Sequence, residues 1–467
     1  MLLTTASGAW SQSVPSPSEA LGYDLGARFT DASDAVRYAD LLAAASSRVR
    51  LVQYGRTPEG RPLTLLVIAS DANSGRIESL LRANARLTDP DLSGEDASAI
   101  ARTNPAIAWF TYGVHGDESA STEAALWTAY DLAVDAEGAA GILDSLVVVI
   151  DPMANPDGRD RYVQWYRGTR GATPNPDPSS REHKPPWPGG RYNHYLFDLN
   201  RDWTWATQAE TRARLDAWQR WNPQVHVDFH EMGYSSSYFF FPAAEPINPI
   251  YPDYTVRWAE YFGRANAAEF DRRRWLYYTG ETFDMFYPGF GDSWPSLVGA
   301  IGMTYEQAGS SRAGLVVRRP DGTNLTLEDR ATHHRVAGLS TLRAAAARKT
   351  ELLTEFAGFH RSQGADQPDV LLVPGPDPSA LRDLAAALQT QGVRVERATR
   401  PFRASASPHP GFLERDEFPV GTFRVRARQP RGRLAVTLLQ PETSLGEDVT
   451  GTYDITAWSL PYAYGVE

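Results

Sequence analysis

Three unbroken apolar runs constrain this chain more than any other feature: AIAWFTYG ending at Gly113, LVVVID ending at Asp151 and AIGMTYE ending at Glu306. Continuous runs of this length suit strands buried on both faces, as in a mixed, mostly parallel α/β sheet flanked by helices. A fourth strand candidate, VHVDFHE, follows an amphipathic helix at about 208–221 that puts Leu215 and Trp218 on one face. Upstream, DAVRYADLLAAA (34–45) reads as a helix. VRLVQYG, a TPEG turn and RPLTLLVIAS then read as strand, turn, strand.

Single hydrophobic cores stop growing beyond roughly 250–300 residues, so a chain of 467 residues is expected to hold two domains. Its 42% hydrophobic and 11% aromatic content is enough to fold without a covalent staple. A formal net charge of -11 with no Lys/Arg-rich run excludes a nucleic-acid partner, because that binding depends on basic patches. No stretch approaches the roughly 20 apolar residues of a membrane span. With zero Cys, any transition metal has to sit on His and carboxylate, and nine His keep the candidates few.

In open α/β sheets ligands bind beyond the carboxyl ends of the strands, so the residues at those ends are informative. AIAWFTYG leads into Val114-His115-Gly116-Asp117-Glu118, and LVVVID into Asn155-Pro156-Asp157-Gly158. VHVDF ends at His230-Glu231, and AIGMTY ends at Glu306. Catalytic zinc typically takes three His or carboxylate ligands and leaves a fourth position open. His115 and Glu118, three apart in a Gly-containing turn, can supply two, and His230 on a distant strand a third. Asp117 competes with Glu118 for this role, and His226 with His230, since residues 226, 228 and 230 share one strand face.

The ordered set His115-x-x-Glu118, Asn155-Pro-Asp-Gly158, Asp198-Leu-Asn-Arg-Asp-Trp203, His230 and Thr304-Tyr-Glu306 resembles the M14 zinc carboxypeptidases over about residues 23–355. The resemblance implies one Zn2+ per chain on His115, Glu118 and His230. It implies hydrolysis of C-terminal peptide bonds by a zinc-bound water, with Glu306 as general base. Arg167, in Trp-Tyr-Arg, is the expected oxyanion-stabilising residue, with Arg170 as the alternative. Asn200 and Arg201 are expected to grip the free carboxylate of a peptide or protein substrate. Tyr287 stands where the family has a Tyr that closes over substrate, and Asp292 and Trp294 are candidates for lining the specificity pocket.

His230 is followed by Glu231-Met232-Gly233, where well-known digestive members carry Ser and an aromatic residue. Two other readings share these residues: a zinc amidohydrolase acting on cell-wall peptides or N-acyl amino acids, and a non-catalytic peptide-binding relative. The relatives imply a secreted or periplasmic setting. Residues 1–22 are set apart as an N-terminal segment consistent with a signal remnant.

The peptidase-like domain is expected over 23–360, followed by a polar linker at 361–369 and a smaller α/β domain over 370–467. In that domain DVLLV, SALRDLAAALQTQG and VRVER form a β-α-β pattern. TFRVRARQ and RLAVTLLQ read as further strands. The abrupt ending after ITAWSLPYAYG is consistent with a piece of a longer chain. The Pro/Gly-rich stretch at 168–191 is a long loop over the surface or a cleft.

Overall fold

The computed structural model of the protein describes residues 14–365, 367–445, 449, 451–454 and 458–467. Its centre is an eight-stranded sheet in the spatial order Val49–Arg56, Pro62–Ile68, Leu146–Asp151, Ala106–Tyr112, Val225–Gly233, Ile301–Gly309, Tyr238–Phe239 and Tyr277–Tyr278. The middle four strands run parallel, and they are the four expected from the sequence. Pro62–Ile68 and Tyr238–Phe239 pair antiparallel on either side of them. Every residue of Ala106–Tyr112, Leu146–Asp151 and Ile301–Gly309 is buried, so both faces of the sheet are covered, which is why these runs show no alternation.

Parallel pairing brings the four carboxyl ends to one edge. Register sets Thr111 opposite Asp151 and opposite Asp228, and Glu306 opposite His230. The helix Ala120–Val134, which leaves the His115 turn, packs with Leu327–Ala347, and the latter packs in turn with Asp253–Arg273. Leu327–Ala347 starts on a reciprocal cap in which Thr326 accepts from the Asp329 amide and the Asp329 side chain accepts from the Thr326 amide. Ala209–Trp221 forms as expected, with Leu215 and Trp218 buried.

The tail departs from expectation in two ways. Val370–Leu372 and Val395–Arg397 do not pair with each other, because Phe423–Val425 lies between them, antiparallel to both. The run RLAVTLLQ is not a strand, since Gly432–Leu439 is helical. Its buried Leu434, Ala435, Leu438 and Leu439 recur at the one-four-five spacing of a helix face, and that spacing outweighs the strand preference of Val436 and Thr437. One contiguous hydrophobic cluster extends from Leu21 to Val466. Gln391 ties the tail to the sheet region, donating to the carbonyls of Trp203 and Thr204 and accepting from the Trp294 indole at 2.6 Å.

Near the other end, Pro17–Leu21 is a short helix capped by Ser16 and Glu19, and Tyr38 donates to the Pro15 carbonyl. Residues 1–13 lie outside the described residues, as do 455–457 of the run ITAWSLPYAYG.

Candidate metal centre

One ligand atom from each of His115, Glu118 and His230 lies within 4.8 Å of the other two, and all three residues are buried. His115 Nδ1 is 2.7 Å from Glu118 Oε1, and His230 Nδ1 is 2.9 Å from Glu118 Oε2. The far nitrogen of each ring faces a carboxylate: His115 Nε2 is 3.0 Å from Asp198 Oδ1, and His230 Nε2 is 2.9 Å from Asp228 Oδ2. A carboxylate behind each imidazole fixes the ring and turns Nδ1 toward the shared centre, the arrangement that metal-binding histidines use. Two imidazoles and one carboxylate form a donor set suited to a catalytic zinc with an open position.

Asp117 and His226, the competing candidates, do not belong to this cluster of ligand atoms. The Asp117 carboxyl is pushed up to about 6 by burial and by the Glu118 charge beside it. His226 accepts from the Trp218 indole at 3.1 Å, and burial depresses it to about 3.

His115 and Glu118 line a cavity of about 320 Å³ together with Arg191, Asn200, Arg201, Glu231, Asp284, Asp292, Thr304, Glu306 and Tyr453. Glu306 sits beside His230 across the parallel ladder, and its Oε2 is buried with no hydrogen-bond partner among the described residues. Burial pushes its carboxyl up to about 8, against the pull of His230, and the neighbouring Glu118 charge adds to the rise. A buried orphan oxygen on an uncommitted carboxylate is what a proton acceptor for a bound ligand requires.

Arg167, expected from the sequence to stabilise an oxyanion, is not at the cavity. It lies in the last turn of the helix Pro156–Thr169, where it donates to Asp31 at 2.8 Å and to the Phe29 carbonyl at 3.2 Å. Arg170 ends that helix, its amide donating to the Tyr166 carbonyl, and it is not among the residues lining the cavity either. Arg191 supplies the guanidinium instead, with Nη1 3.6 Å from Glu118 Oε1 and 3.3 Å from His115 Nδ1. It also donates from Nε and Nη2 to Asp198 Oδ2 at 3.1 and 2.9 Å. Against the cost of burial, His115 and Arg191 hold the Asp198 carboxyl well below the usual range.

The Asn-Pro-Asp-Gly motif explains how Arg191 arrives there. Asn155 caps the helix Pro156–Thr169 by accepting from the Gly158 amide, and it donates to the Arg191 carbonyl at 3.2 Å. A Cβ on Gly158 would fall 2.3 Å from the Gly190 carbonyl oxygen, and one on Gly190 would fall 2.7 Å from the Gly158 oxygen. Only glycine at both positions lets the end of the 168–191 loop press against the metal-side turn.

Asn200 and Arg201 both line the cavity. Asn200 Oδ1 accepts from the Gly291 amide at 2.7 Å, and its Nδ2 is 3.2 Å from His230 Nε2. The Arg201 guanidinium lies over the Phe290 ring at 4.7 Å. Tyr287 is fully buried: its hydroxyl donates to the Arg201 carbonyl at 3.1 Å, and its ring packs on Phe290. Of the two pocket candidates, Asp292 lines the cavity, accepting from Thr304 and Ser293, and burial raises it to about 6. Trp294 instead stacks on Trp203 and meets Trp218 edge-on in the core. Glu231 is committed to structure, bound by Arg330 and by the Ser119 and Ala120 amides.

A second group of potential ligands is formed by exposed Glu59 and His194 with buried Asp157, but the Arg61 guanidinium already pairs with both Glu59 and Asp157. Among the described residues no helix is long and apolar enough to cross a membrane.

Residues 35–247 match the family described as zinc carboxypeptidase, a span that contains His115, Glu118 and His230. Over that span, a little under half of the chain, the sequence is similar to the zinc carboxypeptidase family. Carboxypeptidase 2 of Trichophyton rubrum and that of Trichophyton tonsurans are each 28% identical over 123 residues, which is 26% of this chain and 18% of the relative. The chain therefore matches less than a fifth of the length of these relatives. Among solved structures, the metallo-carboxypeptidase from Burkholderia cenocepacia is 17% identical with a TM-score of 0.45, covering 67% of this chain and 69% of its own. Carboxypeptidase A from Helicoverpa armigera is also 17% identical, with a TM-score of 0.46, covering 72% and 77%. Glu306 lies outside the span matched to the zinc carboxypeptidase family, and its place in the site rests on the geometry above.

Proposed function

We propose that this protein is a zinc-dependent carboxypeptidase that releases residues from the free C-terminus of peptides, with one Zn2+ held by His115, Glu118 and His230. The convergence of these three buried ligand atoms beside Glu306, which shares a cavity with His115 and Glu118 and lies opposite His230, carries the reading. A zinc ion bound there supplies a Lewis acid that acidifies water and polarises a carbonyl.

The remaining steps belong to side chains of this chain. Glu306 accepts a proton from the attacking water and delivers it to the leaving nitrogen, a transfer for which its buried Oε2, beside His230 and without a partner among the described residues, is available. The Arg191 guanidinium faces the same centre and stabilises the oxygen that becomes negative as the carbonyl is attacked. Arg201 offers its charge to the substrate's terminal carboxylate. Asp292, on the cavity wall beside Thr304, favours a basic terminal side chain. We place the peptidase unit at residues 23–360 and an accessory unit at 370–467, and assign the protein a secreted or periplasmic setting.

The test is mass spectrometry of a mixed peptide library incubated with the protein, with and without a zinc chelator. Stepwise loss of C-terminal residues, abolished by the chelator, supports the proposal and reads the side-chain preference. Intact peptides in the presence of bound zinc would reject it in favour of a specialised amide substrate or a binding role.

A further inference from the structure

The guanidinium assigned to a substrate carboxylate already faces a carboxylate from this same chain. Arg201 Nε lies 3.1 Å from Asp454 Oδ2, across 253 residues of sequence. The preceding residue, Tyr453, lines the cavity that holds His115, Glu118 and Glu306. Its backbone amide donates to Asp284 Oδ2 at 2.7 Å, and its ring packs on Phe283 at 5.1 Å and on Phe290 at 6.2 Å. Further on, the Trp458 ring meets Phe286 and Tyr287. Tyr453 is thus held in place by its amide and its ring, with Asp454 presented to Arg201.

We propose that residues 451–454 are a built-in competitor for the carboxylate subsite, Asp454 occupying Arg201 in place of a substrate's terminal carboxylate. The inference rests on reading Arg201 as the group that receives that carboxylate. The Asp454 side chain is 50% exposed while that of Arg201 is 18% exposed. A half-exposed ion pair is weak and exchanges readily, so an incoming carboxylate can displace Asp454 without unfolding the segment. Affinity for a free C-terminus is then reduced by the fraction of molecules in which Asp454 holds Arg201. A peptide ending in an amide makes no call on Arg201 and escapes the competition.

The experiment compares binding of two fluorescein-labelled tripeptides ending in Arg, one a free acid and one an amide, by fluorescence anisotropy. The full-length zinc-loaded chain carries Glu306→Gln throughout, so that binding is read without turnover. Adding Asp454→Asn is expected to tighten the free acid about three- to tenfold and leave the amide unchanged. Adding Arg201→Gln as well is expected to erase the gain. Equal tightening of acid and amide, no change in either, or no measurable binding of either peptide would overturn the inference. Failure of the carboxypeptidase reading appears separately, as absence of chelator-sensitive turnover by protein that retains Glu306.

Discussion

Asp198 joins His115 to Arg191: its Oδ1 lies 3.0 Å from His115 Nε2, and its Oδ2 accepts from Arg191 Nη2 at 2.9 Å. One carboxylate thereby orients an imidazole of the metal centre and the guanidinium beside it. Replacing Asp198 with Asn should keep the fold but weaken zinc binding about 10- to 100-fold, the usual cost of losing a carboxylate behind a metal-binding histidine. Competition against a fluorescent zinc chelator measures this directly. Unchanged zinc affinity would show that His115 needs no such support.

The two arginines separate by position. Arg191→Gln should lower kcat/KM about 100- to 1,000-fold, the loss expected when one preorganised oxyanion partner is removed. Arg167→Gln should leave kcat/KM unchanged, because that guanidinium pairs with Asp31 away from the cavity, and a part-exposed pair contributes at most about 1 kcal/mol to stability. Steady-state kinetics on a short peptide decide between them, and the opposite ranking would return the role to Arg167.

His334 gives the fold a dependence on acid. Burial depresses it to about 3, and its Nδ1 lies 2.8 Å from the Tyr238 hydroxyl. In the unfolded chain it takes up a proton near pH 6.5, so between about 6.5 and 3 only the unfolded state gains that proton. Its contribution is therefore complete above pH 6.5 and is lost as pH falls, by about 1.4 kcal/mol per unit. Urea unfolding of the protein and of His334→Gln from pH 7.5 to 5, with chelator present throughout, should show a steeper acid loss in the parent. Parallel curves would mean that His334 is not held neutral.

The buried sheet and its polar edge were legible from sequence because they depend on local pattern. Unbroken apolar runs demand strands covered on both faces, and His115, Glu118, His230 and Glu306 stand where those runs end. Arg191 was not legible. It sits at the close of a Pro/Gly-rich loop without periodicity, and it reaches the centre only through the mutual approach of Gly158 and Gly190 and the Asn155 bond to its carbonyl. Arg167 looked better placed in sequence, but the helix that carries it continues to Thr169 and turns it toward Asp31. Gly432–Leu439 misled for a different reason: its residues have strand-like composition, while their burial follows the period of a helix. The contact of Asp454 with Arg201 spans 253 residues, and no local signal announces it.

The most direct measurement takes zinc content and peptide turnover on the same preparations of the parent protein and of Glu306→Gln. One zinc per chain is expected in both, with chelator-sensitive release of C-terminal residues by the parent and turnover reduced at least about 100-fold in Glu306→Gln. A parent protein that binds no zinc, or a Glu306→Gln variant that hydrolyses at the parent's rate, would rule out zinc catalysis with Glu306 as the base.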